Sequence, residues 1–82
     1  MLPRVKQVEP MSDYRLSLSF TNGEKRQFAV KPYLSYPVYQ PLVQWEIFKQ
    51  VMVSNGTVCW GNDGYIDFDP DTLYLESRLF DE

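Results

Sequence analysis

Tyr14-Arg15-Leu16-Ser17-Leu18-Ser19-Phe20 alternates apolar and polar side chains without a break, and Thr21-Asn22-Gly23 follows it. A period of two puts Tyr14, Leu16, Leu18 and Phe20 on one face of a strand and Arg15, Ser17 and Ser19 on the other. Residues 25–30 supply the hairpin partner, and register selects the turn. A two-residue Asn22-Gly23 loop sets Leu18 opposite Gln27 and Leu16 opposite Ala29, which sends Phe28 and Val30 to the polar face. Changing the loop by one residue reverses every side chain. The three-residue loop Thr21-Asn22-Gly23 sets Leu16 opposite Phe28 and Tyr14 opposite Val30. The expected turn is therefore type I, with Gly23 left-handed and forming a bulge.

Upstream of this hairpin, residues 5–8 read as a short first strand ended by Pro10. Downstream, residues 31–41 carry Pro32, Pro37 and Pro41 together with Tyr33, Tyr36 and Tyr39. Prolines at that density exclude a long helix and a central strand. Residues 41–50 read as a short helix, or one turn with a tail, in which Leu42, Trp45 and Phe48, each three apart, share one stripe. A second hairpin turns at Asn55-Gly56, the preferred pair for a two-residue type I′ loop. It pairs Val53 with Val58 and Val51 with Trp60 on one face, and leaves Met52 and Cys59 on the other. Gly61-Asn62-Asp63-Gly64 reads as a turn, and residues 65–68 as a short strand with Ile66 and Phe68 inward. Asp69-Pro70-Asp71-Thr72 then opens a helix. Asp69 is its N-cap, Pro70 fills the first helical position, and Asp71 complements the positive end of the helix dipole. Leu73 and Tyr74 pack on the sheet, and residues 78–82 read as a fraying tail. The fold class is α+β, with one domain over residues 1–82. It is a small antiparallel, β-hairpin-rich sheet with short helices, the C-terminal helix capped at Asp69-Pro70.

The composition narrows the function classes. The chain has 82 residues, 44% hydrophobic and 16% aromatic, which is globular and not disordered. A domain of this size buries only about 60–65% of its unfolded surface, so a partner surface adds to a marginal core. No apolar run approaches the roughly 20 residues that span a bilayer, and the first residues lack the apolar core of a signal peptide. The expectation is a cytoplasmic protein without membrane contact. A single cysteine permits no internal disulfide, and the absence of histidine removes His-dependent triads, His general bases and the common zinc ligand sets. Cys59 has no imidazole to activate it and reads as a small packing residue. The chain lacks a phosphate-cradling Gly-rich loop and a Gly-x-Ser-x-Gly elbow. These features point away from an enzyme, and no cofactor is expected.

Three groups of residues remain as site candidates. Asp67-Phe68-Asp69-Pro70-Asp71 has the opening spacing of an EF-hand loop, but the sixth position is Thr72 where Gly is required and the twelfth is Arg78 where Glu is required. Turn and capping roles account for Asp63, Asp69 and Asp71; Asp67, inside a strand, has no structural role in this reading. No metal site is assigned, and a metal or small-molecule sensor at this acidic end stands as the third reading. Charge is uneven: residues 1–41 hold six basic and three acidic side chains, and residues 42–82 hold two basic and eight acidic ones. Arg4, Lys6, Arg15, Lys25 and Lys31 are candidates for a basic stripe on the outer sheet face, the second reading being a nucleic-acid-associated regulator. The acidic pI of about 4.8 argues against direct nucleic-acid binding. The first reading is a non-enzymatic interaction module. Interfaces favour Tyr and Trp, so Tyr33, Tyr36, Tyr39 and Trp45 are the partner-binding candidates.

Several stretches carry a family resemblance: residues 13–24, Lys31-Pro32-Tyr33-Leu34, Leu42, Phe48-Lys49-Gln50-Val51, Val58-Cys59-Trp60 and Ile66-Asp67-Phe68-Asp69-Pro70-Asp71-Thr72-Leu73-Tyr74. In order and spacing the chain resembles the small bacterial family called domain of unknown function 2442. The resemblance implies a compact α+β domain of antiparallel strands and short helices. Some members look like the front half of proteins that end in a helix-turn-helix DNA-binding domain. Stand-alone members, which this chain resembles, are often encoded beside another small protein, in arrangements similar to toxin–antitoxin pairs. The implied partner is thus a protein, such as the neighbouring gene product, with self-association as a further option. The family supplies no agreed catalytic residues to carry over. Ala29 departs from the Asp that many members carry there, and Val43-Gln44-Trp45 is less typical of the family.

Overall fold

The computed structural model describes residues 2–61 and 64–80. Along the chain these form β1 (Val5–Met11), β2 (Arg15–Phe20), β3 (Lys25–Ala29), α1 (Trp45–Phe48), β4 (Met52–Ser54), β5 (Thr57–Trp60), β6 (Ile66–Asp67), α2 (Pro70–Glu76) and β7 (Arg78–Leu79). Short 3₁₀ segments cover Ser12–Tyr14, Lys31–Tyr33 and Pro37–Val43. The fold is α+β, and its strands make two antiparallel sheets, one in the order β1-β2-β3-β7 and one in the order β4-β5-β6.

The first hairpin has the expected register. Leu16 lies opposite Phe28 and Leu18 opposite Arg26. The Phe20 amide donates to Glu24 O at 2.9 Å, enclosing the loop Thr21-Asn22-Gly23, and Gly23 sits at φ +89. Leu16, Leu18, Phe20 and Phe28 are buried on the inner face. The second hairpin also keeps its expected register, Val53 opposite Val58 and Met52 opposite Cys59. Its Asn55-Gly56 loop has φ values of 52 and 79, as a type I′ turn needs. Val53 is nevertheless exposed while Val58 is buried, because β4 is an edge strand and β5 lies inside its sheet.

The chain between and after these hairpins corrects several expectations. β1 does not stop before Pro10 but runs to Met11, since an edge strand tolerates a residue without an amide donor. Tyr14 precedes the strand, at φ +56, though its ring still packs against the core. Of the two forms expected for residues 41–50, the single turn is the one that forms, α-helical from Trp45 to Phe48. Pro41 and the extended Gln44 hold the preceding turns in 3₁₀ form. The tail does not fray at Arg78: Arg78 and Leu79 pair with Gln27 and Arg26 and extend the first sheet. Asn62 and Asp63 of the expected Gly61–Gly64 turn, and Asp81 and Glu82 of the tail, lie outside the described residues.

The core joins the two sheets. Val5, Leu16, Leu18, Phe20, Phe28 and Val30 from the first half meet Leu42, Phe48, Val58, Trp60, Ile66, Phe68 and Leu73 from the second. Trp60 is wholly inside, and its ring N–H donates to Phe48 O at 2.8 Å. The Val5 amide ties β1 to the second hairpin by donating to Gly56 O at 2.9 Å. Asp69 caps α2 as expected, its side chain accepting from the Thr72 amide at 3.1 Å.

An added Cβ at Gly23 meets nothing within 4 Å, so the cost of a side chain there is in the backbone alone. Gly23→Val is expected to lower Tm by roughly 5–15 °C, and Gly23→Asn by distinctly less, because Asn tolerates the left-handed region. Thermal unfolding by circular dichroism checks both, and an unchanged Tm in the valine variant rules this turn out.

Candidate interaction surface

Residues 31–48 form the most unusual part of the surface. Prolines hold the backbone in successive tight turns, with Tyr33 N–H donating to Val30 O at 2.8 Å, Tyr36 to Tyr33 O at 3.0 Å and Tyr39 to Tyr36 O at 2.9 Å. Aromatic and leucine residues fall at every third position from Tyr33 to Phe48. A continuous 3₁₀ helix would stack them on one face. The extended backbone of Tyr36 and Gln44 breaks that row and divides the residues between inside and outside.

Tyr33 and Tyr39 face inward. Tyr39 stacks flat on Phe68, ring centroids 4.5 Å apart, and its hydroxyl donates to Asp67 O at 2.9 Å. Tyr33 stacks on Phe28 at 5.6 Å and meets Phe68 edge-on at 5.1 Å. Burial raises the Tyr39 phenol above its ordinary pKa, with the Asp67 carboxylate acting in the same direction. Tyr36 and Trp45 face outward, exposed by 56% and 42%. Val38 and Val43 join them at 55% and 51%, so four large apolar side chains within ten residues meet solvent. Trp45 leans on Phe48 at 5.5 Å and on Tyr14 at 6.5 Å, and the Tyr14 hydroxyl donates to Val43 O. The four residues singled out in the sequence thus divide: Tyr33 and Tyr39 roof the core, while Tyr36 and Trp45 stand at the surface. The sequence reading missed Val38 and Val43; the signal for them is that they lie off the every-third row.

The basic candidates do not assemble as one stripe. Strand pairing sets Ser19 opposite Gln7 and Lys25, Ser17 opposite Glu9 and Gln27, and Arg15 opposite Met11 and Ala29. These residues alternate with the buried ones and make the outer sheet face. Of the five cations, Arg15 and Lys25 lie there, and Arg78 joins them through β7. Arg4 precedes β1, bonded to Thr21 at the hairpin loop and paired with Asp71 at 3.1 Å, and Lys31 pairs with Asp13 at 3.0 Å beyond the strand end. Lys6 sits at the β1 irregularity between Val5 and Gln7. Arg15 is itself held by Gln27 Oε1 at 3.0 Å and Ser12 O at 3.2 Å.

The acidic end also separates. Asp69 caps α2, Asp71 pairs with Arg4, and Asp67 is exposed in β6 with its carbonyl engaged by Tyr39. Among the described residues no group of three or more Cys, Asp or Glu is placed to hold a metal ion. Cys59 is buried. A tighter polar cluster lies at the sheet edge. Glu24 Oε1 accepts from Tyr74 Oη at 2.8 Å and from Arg26 Nε at 2.8 Å, while the Arg26 guanidinium lies 4.3 Å from the centre of the Tyr74 ring. Arg26 also donates to Ser77 O at 3.1 Å, locking α2 to β3. The hydrogen bond from Tyr74, then that from Arg26, holds the Glu24 carboxyl below its ordinary pKa.

The family model described as "Protein of unknown function (DUF2442)" matches residues 5–78. The chain belongs to that family. Neither a curated protein nor a solved structure matches it.

Because the Glu24 pKa is depressed in the fold, its contribution is present above the unfolded glutamate pKa and is lost as pH falls through the folded value. The Tm difference between wild type and Glu24→Gln is expected to be largest near neutral pH and to shrink on acidification below the ordinary glutamate range. A difference that stays constant down to strong acid refutes that linkage. Asp67→Ala, which removes an exposed carboxylate and keeps the carbonyl bonded by Tyr39, is expected to change stability by no more than about 0.5 kcal/mol in urea unfolding.

Proposed function

We propose that this chain is a non-enzymatic interaction module that binds a protein partner through residues 36–45, as the antitoxin-like member of a two-gene pair. The observation that carries this reading is the run of exposed Tyr36, Val38, Val43 and Trp45 on a segment fixed from below by Tyr39, Leu42 and Phe48. Large apolar side chains clustered at a surface favour an interface. A segment already held by prolines and short turns loses little freedom when it binds, which leaves more of the contact energy for affinity. Tyr36 and Trp45 are the anchors in this proposal, and Val38 and Val43 extend the contact. Tyr33 and Tyr39 act through the shape of the segment.

A second reading, a nucleic-acid-associated regulator, is favoured by Arg15, Lys25 and Arg78 standing among serines on one sheet face. Glu9 on the same face and the Arg15–Gln27 hydrogen bond weaken it.

Co-purification with the product of the neighbouring gene tests the first reading. Tyr36→Ala and Trp45→Ala are each expected to weaken capture by about 30-fold, the size of an interface hot spot of roughly 2 kcal/mol, while both variants stay folded at the assay temperature by circular dichroism. Tyr39→Ala is expected to lower Tm instead. Full capture by a Tyr36→Ala/Trp45→Ala double variant excludes this surface.

A further inference from the structure

Beside the outer edge of β3 lies a hollow of about 300 Å³ lined by Phe28, Ala29, Pro32, Tyr33, Tyr36 and Glu76. Its walls are apolar and aromatic, and its one charged group is a carboxylate. The Tyr33 and Tyr36 rings both line it, 6.2 Å apart and tilted by 43°. Aromatic faces carry negative electrostatic potential and attract a cation held within about 6 Å of the ring centre. Glu76 ends α2, where the last helix carbonyls add partial negative charge. Its carboxylate is close enough to the Tyr33 phenol to add to the rise in pKa that burial causes there. Among the described residues Glu76 takes part in no ion pair, and the one cation stacked on a ring is Arg26.

That Arg26 contact shows the same recognition already at work inside the molecule. A guanidinium lies on a tyrosine ring, 4.3 Å from its centre, and a glutamate oxygen takes its N–H at 2.8 Å. The hollow brings together the same two kinds of side chain, tyrosine and glutamate, at the surface. We propose that it binds an organic cation, a guanidinium or alkylammonium group seated against Tyr33 and Tyr36 and neutralised by Glu76. A neighbouring hollow of about 280 Å³ shares Ala29 and Glu76 and adds Arg15, Gln27 and Arg78. Its two cations, Arg15 and Arg78, suit an anionic group on the same ligand. The cation therefore has two sources, a free basic amino acid with its carboxylate or a basic side chain within a peptide. The site stands on the hollow itself and does not rest on the partner proposed above.

The test follows the tyrosine ring resonances of Tyr33 and Tyr36 by NMR during titration with three probes: L-arginine, N-acetyl-L-arginine methylamide, and the neutral isostere N-acetyl-L-citrulline methylamide. Both arginine probes are expected to give saturable shifts in the millimolar range, and the citrulline probe to bind about tenfold more weakly. Glu76→Gln is expected to weaken the arginine probes by about three- to tenfold, and Glu46→Gln, on α1, to leave them unchanged. Both glutamates are exposed, and Tm confirms that each variant is folded. Tighter binding of L-arginine assigns the site to a free amino acid, and tighter binding of the capped probe assigns it to a peptide side chain. Equal binding of citrulline, absence of saturable shifts, or an unaltered affinity in Glu76→Gln overturns the proposal. Loss of partner capture in the Tyr36 and Trp45 variants with cation binding retained in Trp45→Ala separates the two sites.

Discussion

Phe68 is the contact on which the two sheets and the proline-rich segment depend. It follows β6 directly, and its ring touches Phe28 of β3 at 5.1 Å, Trp60 of β5 at 6.1 Å, Tyr33 at 5.1 Å and Tyr39 at 4.5 Å. Neither sheet buries its inner face alone, since one has four short strands and the other three. Aromatic pairs of this kind add about 0.5–1.5 kcal/mol each beyond the area they bury. Several meeting at one ring hold parts of the chain that share no strand pairing. The backbone is tied at the same place, where the Thr57 hydroxyl donates to Phe68 O and the Tyr39 hydroxyl donates to Asp67 O.

The aromatic contacts continue from this ring to the surface in two directions. One path runs from Phe68 through Tyr33 to Tyr36, and the other through Trp60 and Phe48 to Trp45. The two exposed rings are thus the outer ends of a connected, packed series that passes through the core. Packed interiors resist small displacements because their side chains sit in close contact. Tyr36 and Trp45 are held in place from within, which makes them suited to anchoring a partner and ties their geometry to the stability of the domain.

Charge is used differently on the two faces of the first sheet. On β3, between Leu18 and Leu79, Arg26 faces inward, and its charge is met by Glu24, the Tyr74 ring and the Ser77 carbonyl. This cluster fastens α2 and the short β7 to the sheet. On the outer face Lys25 and Arg78 stand without an ion pair among the described residues. The basic and acidic halves of the chain meet where Arg4 pairs with Asp71, while Lys31 pairs with Asp13 within the basic half.

Local sequence preferences specify the parts governed by neighbouring residues. Alternation at residues 14–20 and the demand that Phe28 and Val30 share the inner face set the first hairpin. Asn55-Gly56 set the second, and Asp69-Pro70 set the start of α2, because turn and cap preferences act within a few residues. Tertiary structure decided what depends on distant partners. Arg78 and Leu79 become a strand because β3 offers them an unpaired edge, and Pro10 stays in a strand because β1 is the opposite edge. Tyr33 and Tyr39 go inward where Phe28 and Phe68 receive their rings, while Tyr36 and Trp45, aromatic residues of the same every-third row, are left outside. The hollow beside Tyr33 brings Glu76 to Tyr36 from forty positions away in the chain. Side-chain spacing is a local property, and which face meets another element is settled only when the sheets pack.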